Sequence, residues 1–240
     1  MVNHNQNLGN LFLIPSSIEQ IEDVPFLLDQ QKKLLKNIKY FIVENEKIAR
    51  KTLLKIELKT KIQSVTLNKY NNKTSDFEMK KFLEPLFNGN DIGLLSDSGS
   101  PCIADPGANI VKYAHLNNIR VRPLIGPSSI ILSLMASGFN GQKFKFHGYI
   151  PIKNSEKEIY IKKMMESVKK DKETQIFIET PFRNEQLLKD LLRILEDKIE
   201  LCIAINLTGS HEKIYRDSIA NWRLKKLINV KKKLCIFLIN

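Results

Sequence analysis

The chain has 240 residues, of which 42% are hydrophobic and 27% are charged, and its formal net charge is +12 at pH 7. These proportions are those of a globular protein, and they exclude a disordered or collagen-like chain. The excess of Lys and Arg is compatible with an acidic partner such as nucleic acid, and equally with a solvated basic surface.

Membrane spans, disulfides and common metal sites find no support in the sequence. No apolar run approaches the roughly 18 residues needed to cross a bilayer, and the first residues lack the pattern of a secretory signal. The sequence therefore predicts a cytoplasmic protein with no membrane partner. Cys102, Cys202 and Cys235 lie far apart, which favours three reduced thiols over a disulfide framework. No cluster has the spacing of metal ligands, and we expect no metal.

In the first half of the chain, short apolar runs alternate with longer segments of helical periodicity. The apolar runs predict strands, at 10–15, 39–45, 61–67, 91–96 and 119–124. The segments between them predict helices, at 24–37, 47–55, 75–88 and 108–116.

The second half continues the alternation. Segment 126–138 predicts a helix with Pro127 at its first position and Gly138 as its C-terminal cap. Further helices are predicted, at 154–171, 183–196 and 220–228. Strands are predicted, at 143–151, 174–179, 199–207, 213–219 and 232–239. Cys202, Cys235 and Trp222 are expected in the core.

Strands separated by helices of this length indicate an α/β fold with mainly parallel or mixed sheets. The strand count is high for one sheet, so we expect two αβα sandwich domains, residues 1–123 and 124–240. In such folds, ligands gather beyond the carboxyl ends of the strands. Two loops rich in Ser, Gly and Pro lie at such ends, SDSGSP at 96–101 and GPSS at 126–129.

The first loop has turn chemistry that suits close contact with a ligand. Ser96 and Asp97 end a buried strand, Gly99 permits a positive φ, and Pro101 stiffens the exit. Further along, Asp105 is expected to cap the next helix, with Pro106 at its first position. A catalytic role for Asp105 is the alternative. In the second loop, Gly126 allows close approach to a helix N-terminus that can bind an anion.

These motifs together resemble a known family. The segments SDSGSPCIADPG, PLIGPSSIILSLMASGF and FKFHGYIPIK are similar to the tetrapyrrole-methylase superfamily of S-adenosylmethionine-dependent methyltransferases. Within it the chain most resembles the ribosomal RNA small subunit methyltransferase I family, as a divergent short form. The likeness continues through IFIETPFRNEQLLKDLL at 176–192 and spans nearly the whole chain.

Three segments depart from the family pattern. The loop after the first predicted strand reads IPSSIEQIED at 14–23, where the family has a Gly-rich turn. The acidic motif near the start of the chain reads ENEK. Phe182 stands where the family has His before Arg.

The resemblance implies two αβα domains with S-adenosylmethionine in a cleft between them. It implies methyl transfer to a ribose 2′-hydroxyl of small-subunit (16S) ribosomal RNA, with ribosomal RNA or the small subunit as partner and a homodimer as assembly. It also implies a set of residues around the methyl donor: Pro15, Ser96, Asp97, Ser98, Gly99, Pro101, Gly126, Pro127, Ser128, Ser129, Ile178 and Leu207.

Attack by a ribose hydroxyl requires a proton acceptor. Glu179 at its strand end is the first candidate, followed by Asp97 and Glu44, and Arg183 would orient the carboxylate or bind RNA phosphate. An ion pair of Glu179 with Arg183 that has no chemical role is the alternative. For the whole protein, the alternatives are a tetrapyrrole (uroporphyrin- or precorrin-type) C-methyltransferase and a non-catalytic RNA-binding factor that retains the fold.

Overall fold

A computed structural model describes residues 7–19, 27–56, 58 and 61–240 of the chain. These residues form two compact units. Unit 1 contains the described residues up to 17 and those from 27 to 127, and unit 2 contains residues 18–19 and 128–240. Gly126 and Pro127 therefore belong to unit 1, whereas Ser128 and Ser129 belong to unit 2. The predicted division after residue 123 remains a prediction.

Unit 1 contains one five-stranded sheet in which all strands are parallel. Its strands follow the order β3-β2-β4-β1-β5. The strands are β1 (Leu11–Ile14), β2 (Tyr40–Val43), β3 (Thr66–Lys69), β4 (Ile92–Leu95) and β5 (Val121–Pro123). The helices are α1 (Asp29–Leu35), α2 (Glu46–Ile56), α3 (Asp76–Phe87) and α4 (Ala108–Leu116).

Side chains that alternate along the central strands of unit 1 fill two separate cores. Phe12 and Phe41 face one core, which also contains α1 and α2 residues, while Leu11 and Ile42 face the other, with α3 and α4. This alternation follows from the two-residue repeat of a strand. Gly93 of β4 leaves room for the first core, since an added Cβ would lie 2.7 Å from Ile14 and from Phe41.

Unit 2 contains a five-stranded mixed sheet in the order β6-β7-β10-β8-β9, in which only β6 and β7 are parallel. The strands are β6 (Phe144–Tyr149), β7 (Thr174–Ile178), β8 (Glu200–Ile205), β9 (Lys213–Ser218) and β10 (Cys235–Ile239). The helices are α5 (Ser129–Ser137), α6 (Asn154–Asp171), α7 (Asn184–Ile194) and α8 (Ile219–Leu224).

The sheet of unit 2 is also covered on both faces. Phe177 and Phe237 stack at 5.9 Å in the core that contains residues of α6, α7 and α8. Ile176 and Cys202 face the opposite core, beside Leu134 of α5. The predicted burial of Cys202, Cys235 and Trp222 is confirmed, and the Trp222 indole donates a hydrogen bond to the Leu201 carbonyl.

The predicted α/β class and the two sheets are confirmed. The strand predicted at 61–67 is shifted, because the chain first forms a 3-10 turn at Ile62–Ser64 and then pairs with β2 from Thr66. The predicted helix at 24–37 is observed only as α1, and its residues 24–26 lie outside the described residues. Pro127 precedes α5 instead of opening it, whereas the Gly138 cap is confirmed, with φ 66°. None of the helices in the described ranges is long and apolar enough to cross a membrane.

Candidate functional site

The loops of unit 1 that follow β1 and β4 are joined by paired backbone hydrogen bonds. The Ser16 N–H donates to the Gly99 carbonyl at 2.8 Å, and the Gly99 N–H donates to the Ser16 carbonyl at 3.1 Å. The Ser16 hydroxyl also donates to the Ser96 carbonyl at 2.5 Å. Because β1 and β4 are parallel neighbours, their carboxyl ends lie at one edge, and Pro15 is brought beside the loop that begins at Ser96.

Side-chain hydrogen bonds hold the loop after β4 in a compact shape. The buried Ser96 hydroxyl donates to the Ser98 carbonyl at 2.9 Å and accepts the Ser98 N–H at 3.2 Å. Ser100 donates its hydroxyl to the Pro127 carbonyl at 3.2 Å. Of the predicted donor-binding residues, unit 1 therefore brings together Pro15, Ser96–Gly99, Pro101 and Pro127, while Gly126 is exposed on the adjoining segment.

The backbone between Gly99 and α4 takes positive φ values four times. Gly99 has φ 70° and Gly107 has φ 134°, while Cys102 and Ala104 adopt φ 67° and 56° without being glycine. Non-glycine residues in this region each cost about 1–2 kcal/mol, and such strain gathers at functional sites. An added Cβ on Gly99 would meet only the Pro127 carbonyl oxygen, at 3.7 Å, so the space beside Gly99 is open.

Asp105 is not the helix cap that the sequence predicts. Helix α4 begins at Ala108 with Gly107 as its N-cap, and no side chain caps it. Instead, the Asp105 carboxyl forms a hydrogen bond with the Glu44 carboxyl. Gly107, the last residue of the ADPG turn, has φ 134°, and the turn places the Asp105 carboxyl against Glu44 at the carboxyl end of β2.

Glu44, Asp97 and Asp105 form an acidic cluster at the carboxyl ends of β2 and β4. Asp97 accepts the Asn45 N–H at 3.2 Å, which ties the loop after β4 to the residue after Glu44. Burial and the nearby charge of Glu44 raise the pKa of Asp97. Burial and the contact with Glu44 raise the pKa of Asp105 to about 7. Neighbouring carboxylates repel each other and burial disfavours the charged form, so a carboxyl group in such a cluster keeps its proton to a higher pH.

In unit 2, the predicted catalytic pair Glu179 and Arg183 is an ion pair. Glu179 follows β7, its side chain is 4% exposed, and its carboxylate accepts from Arg183 at 2.5 Å. The same oxygen accepts the Thr180 N–H at 2.6 Å. The Arg183 Nε is buried and lacks a hydrogen-bond partner. The structure thus brings these two residues together, and one oxygen of the carboxylate, Oε1, accepts from two donors.

The remaining predicted residues of unit 2 lie at three places. Ile178 ends β7, directly before Glu179, and is half-buried. Leu207 follows β8 and is buried in the core beside Ile176. Ser128 is the N-cap of α5 without a side-chain capping bond, and Ser129 is the first residue of that helix.

The chain matches the pattern of the family described as Tetrapyrrole (Corrin/Porphyrin) Methylases over residues 18–222. It is 33% identical to the ribosomal RNA small subunit methyltransferase I of Bacillus subtilis, over 91% of this chain and 70% of the relative. The chain belongs to the tetrapyrrole methylase family, and to its ribosomal RNA small subunit methyltransferase I group. The predicted family and the predicted methyltransferase class are confirmed.

Further similarity supports the same family. The chain is also 28% identical to the ribosomal RNA small subunit methyltransferase I of Thermotoga maritima, over 89% of this chain and 90% of the relative. Among solved structures, the methyltransferase CobJ superposes with a TM-score of 0.63 at 15% identity, covering 97% of this chain and 94% of the other. The cobalt precorrin-4 methyltransferase CbiF gives a TM-score of 0.61 at 13% identity, covering 96% and 94%. These two structures show the fold.

Asp105 is the site residue to which sequence reasoning assigned the wrong role. The signal was present in the ADPG turn, but a local rule for helix starts placed its carboxyl on the following backbone. Within the part of the chain that the structure describes, no group of His, Cys, Asp or Glu is arranged to hold a metal ion.

Proposed function

We propose that the protein transfers a methyl group from S-adenosylmethionine to a ribose 2′-hydroxyl of small-subunit ribosomal RNA. The observation that carries this proposal is the 33% identity over 91% of the chain to a relative named for that RNA. The net charge of +12 favours RNA over a small-molecule acceptor, because Lys and Arg gain affinity by releasing counterions from phosphates.

The loops of unit 1 fit a cationic methyl donor. Glu44, Asp97 and Asp105 place three carboxyl groups at one sheet edge, where they attract positive charge. Beside Gly99 an added Cβ would meet one atom within 4 Å, the Pro127 carbonyl oxygen, which leaves room for close contact with a ligand. S-adenosylmethionine, when bound, would supply a sulfonium methyl group, whose carbon an attacking nucleophile bonds as its bond to sulfur breaks and the neutral thioether leaves. These residues bind and orient, which is the main demand of such a reaction.

The proton of the attacking hydroxyl needs an acceptor, and the carboxylates of Glu179 and Glu44 are the candidates. Both donors to Glu179 reach the same oxygen, Oε1, and one of them is Arg183, which this contact orients. Glu44 shares a hydrogen bond with Asp105, and burial together with this contact raises the pKa of Asp105 to about 7, so Asp105 can hold a proton near neutral pH. The donor contacts expected from the sequence at Ser128, Ser129, Ile178 and Leu207 stay predictions, and the Leu207 side chain lies in the core of unit 2.

The experiment uses purified protein, small ribosomal subunits lacking the modification and S-adenosylmethionine with an isotopically labelled methyl group. Digestion to nucleosides and mass spectrometry should find the label on a ribose 2′-oxygen. The rate should fall steeply with salt. Label on a base, or no label, would contradict the proposal. Label on a uroporphyrinogen-type substrate in a parallel reaction would favour the tetrapyrrole alternative.

The homodimer and the cytoplasmic location expected from the sequence belong to the same proposal. Sedimentation of the purified protein tests the first, and fractionation of cells tests the second. A monomeric protein at working concentration would contradict the proposed homodimer. Recovery of the protein with membranes would contradict the proposed location. Neither result would contradict the proposed reaction.

A further inference from the structure

A pocket of about 510 Å³ lies in unit 2 beyond the carboxyl ends of β6 and β7. Its volume falls in the range of small-ligand sites. Its walls are mainly apolar and aromatic, with Arg183 and Thr180 as polar members. The lining residues are Tyr149, Ile150, Pro151, Ile152, Tyr160, Thr180 and Arg183.

Two aromatic side chains on or beside the pocket segments are exposed. Tyr149 lines the pocket and is 57% exposed. Phe182 is not a lining residue, but it lies between the lining residues Thr180 and Arg183 in the chain, and it is 74% exposed. Exposed side chains of this size lose favourable burial unless something covers them. Flat π faces next to a cationic guanidinium suit a nucleobase, which stacks on aromatic rings without regard to sequence.

A chain of hydrogen bonds fixes Tyr160 in the pocket wall. The Gln175 amide donates to the carbonyl and the carboxylate of Glu173, at 2.8 and 3.0 Å, which turns its oxygen to His147 Nε2 at 2.7 Å. His147 Nε2 is then the donor, so Nδ1 accepts the Tyr160 hydroxyl at 2.8 Å. A rigid wall of this kind lowers the cost of ordering a bound ring.

A run of lysines borders the same pocket. The Lys232 N–H donates to the Pro181 carbonyl at 2.8 Å, which holds this run against the segment that carries Phe182. Lys231 and Lys232 are exposed. The Arg183 guanidinium lies in the wall as well, but the buried Glu179 carboxylate balances its charge, so the positive charge at the border comes from the lysines. An apolar pocket with a cationic border complements a base with its adjoining phosphates.

We propose that this pocket binds one unpaired nucleotide of the RNA acceptor, with its base stacked against Tyr149 and Phe182 and its adjoining phosphates held by Lys231 and Lys232. This inference rests on the proposed function, and it names the surface of unit 2 that recognises the substrate. A nucleotide that undergoes chemistry must leave its stack, and a pocket that restacks it repays part of that cost.

The binding experiment measures anisotropy of a short, fluorescein-labelled, single-stranded RNA over a range of salt concentrations. Tyr149→Ala and Phe182→Ala should each weaken binding by roughly 5- to 100-fold, as loss of base stacking does. The double variant Lys231→Ala/Lys232→Ala should lower the slope of log K against log salt by about 1.4, or about 0.7 for each phosphate contact.

Matched controls separate the pocket from surface properties in general. Phe77→Ala removes a phenylalanine that is 79% exposed on α3, and Lys163→Ala/Lys170→Ala removes two exposed lysines of α6. Both controls should bind RNA as the unchanged protein does. Circular dichroism verifies that each variant is folded, which the exposure of the replaced side chains favours.

Methylation of small ribosomal subunits is measured with the same variants, so that the two proposals can fail separately. An active protein whose pocket variants bind and methylate normally overturns the pocket proposal and leaves the function intact. Binding that depends on the pocket, without methylation, supports the pocket and overturns the function. If the unchanged protein neither binds the RNA nor methylates the subunits, both the pocket proposal and the proposed function are overturned. A change of sedimenting mass in Tyr149→Ala, with RNA binding unaltered, would make this face an interface between copies.

Discussion

The strand ends of unit 1 and those of unit 2 share a geometry but carry opposite charge. In unit 1, Asp97 and Asp105 face Glu44, and no described ion pair joins any of the three to a cation. In unit 2, the buried Glu179 is paired with Arg183, and Lys232 is held close by. One edge is therefore prepared for a cation and the other for an anion, although both follow from loops after parallel strands.

The largest expected effect comes from breaking the charge balance in unit 2. Arg183→Met leaves the Glu179 carboxylate buried without its cation, which should lower the free energy of unfolding by about 2–3 kcal/mol. Chemical denaturation measures the change. The double variant Glu179→Gln/Arg183→Met should recover most of it, because no buried charge remains.

Lys189→Met is the matched control for that experiment, since Lys189 pairs with Glu185 on the same helix but both side chains are about half exposed. Its effect should not exceed about 0.5 kcal/mol. An equal loss in both single variants would mean that the burial of Glu179 has no energetic consequence.

The next effect concerns the donor loop of unit 1. Gly99→Val should reduce affinity for S-adenosylmethionine by roughly 10- to 100-fold, because the side chain fills the space beside the loop and opposes φ 70°. Gly148→Val is a close control, with φ 65° and no atom within 4 Å of an added Cβ. Titration calorimetry of both variants separates strain from contact. Equal affinities would remove Gly99 from the donor site.

The sequence could predict the fold because its central strands obey a simple rule. Phe12 and Leu11 point to opposite faces, both faces are covered, and runs such as IGLL are therefore apolar throughout. The site was predicted less completely. Cys102 and Ala104 have positive φ, a backbone conformation that can be predicted from residue type only for glycine. The contact of Glu44 with Asp105 depends on two strand ends that only the sheet order brings together.

A smaller effect comes from Asp105, whose pKa of about 7 exceeds the value of about 3.9 in an unfolded chain. Between these values the folded protein binds more protons than the unfolded chain, so stability falls as pH rises from about 4 to about 7. Asp105→Asn should therefore be more stable than the unchanged protein at pH 8, by about 1–2 kcal/mol after screening, and equal to it near pH 4.

Denaturation at several pH values measures that difference. Burial, the largest cause of the raised pKa of Asp105, remains in Glu44→Gln, but the contribution of the Glu44 carboxyl is lost. The pH range over which stability changes should therefore become narrower. A stability difference independent of pH would show that Asp105 does not retain its proton in the folded protein.

The smallest effect tests the opposite charge of unit 2 at His147. Burial and the nearby Lys145 lower its pKa, where burial next to carboxylates in unit 1 raises that of Asp105. In an NMR titration the His147 ring should titrate below the ordinary value of about 6.5. Protonation then favours the unfolded chain, so this contribution to stability is present above pH 6.5 and is lost on acidification.

Tyr160→Phe removes the hydroxyl that donates to neutral His147, and should raise the titration midpoint by about half a unit to one unit. A midpoint that does not move would place the proton of the Tyr160 hydroxyl elsewhere. A rise would show that the pocket wall is held by the neutral ring. In unit 2 a neutral His147 would then position Tyr160 in the pocket wall. In unit 1 a protonated Asp105 would form the hydrogen bond with Glu44.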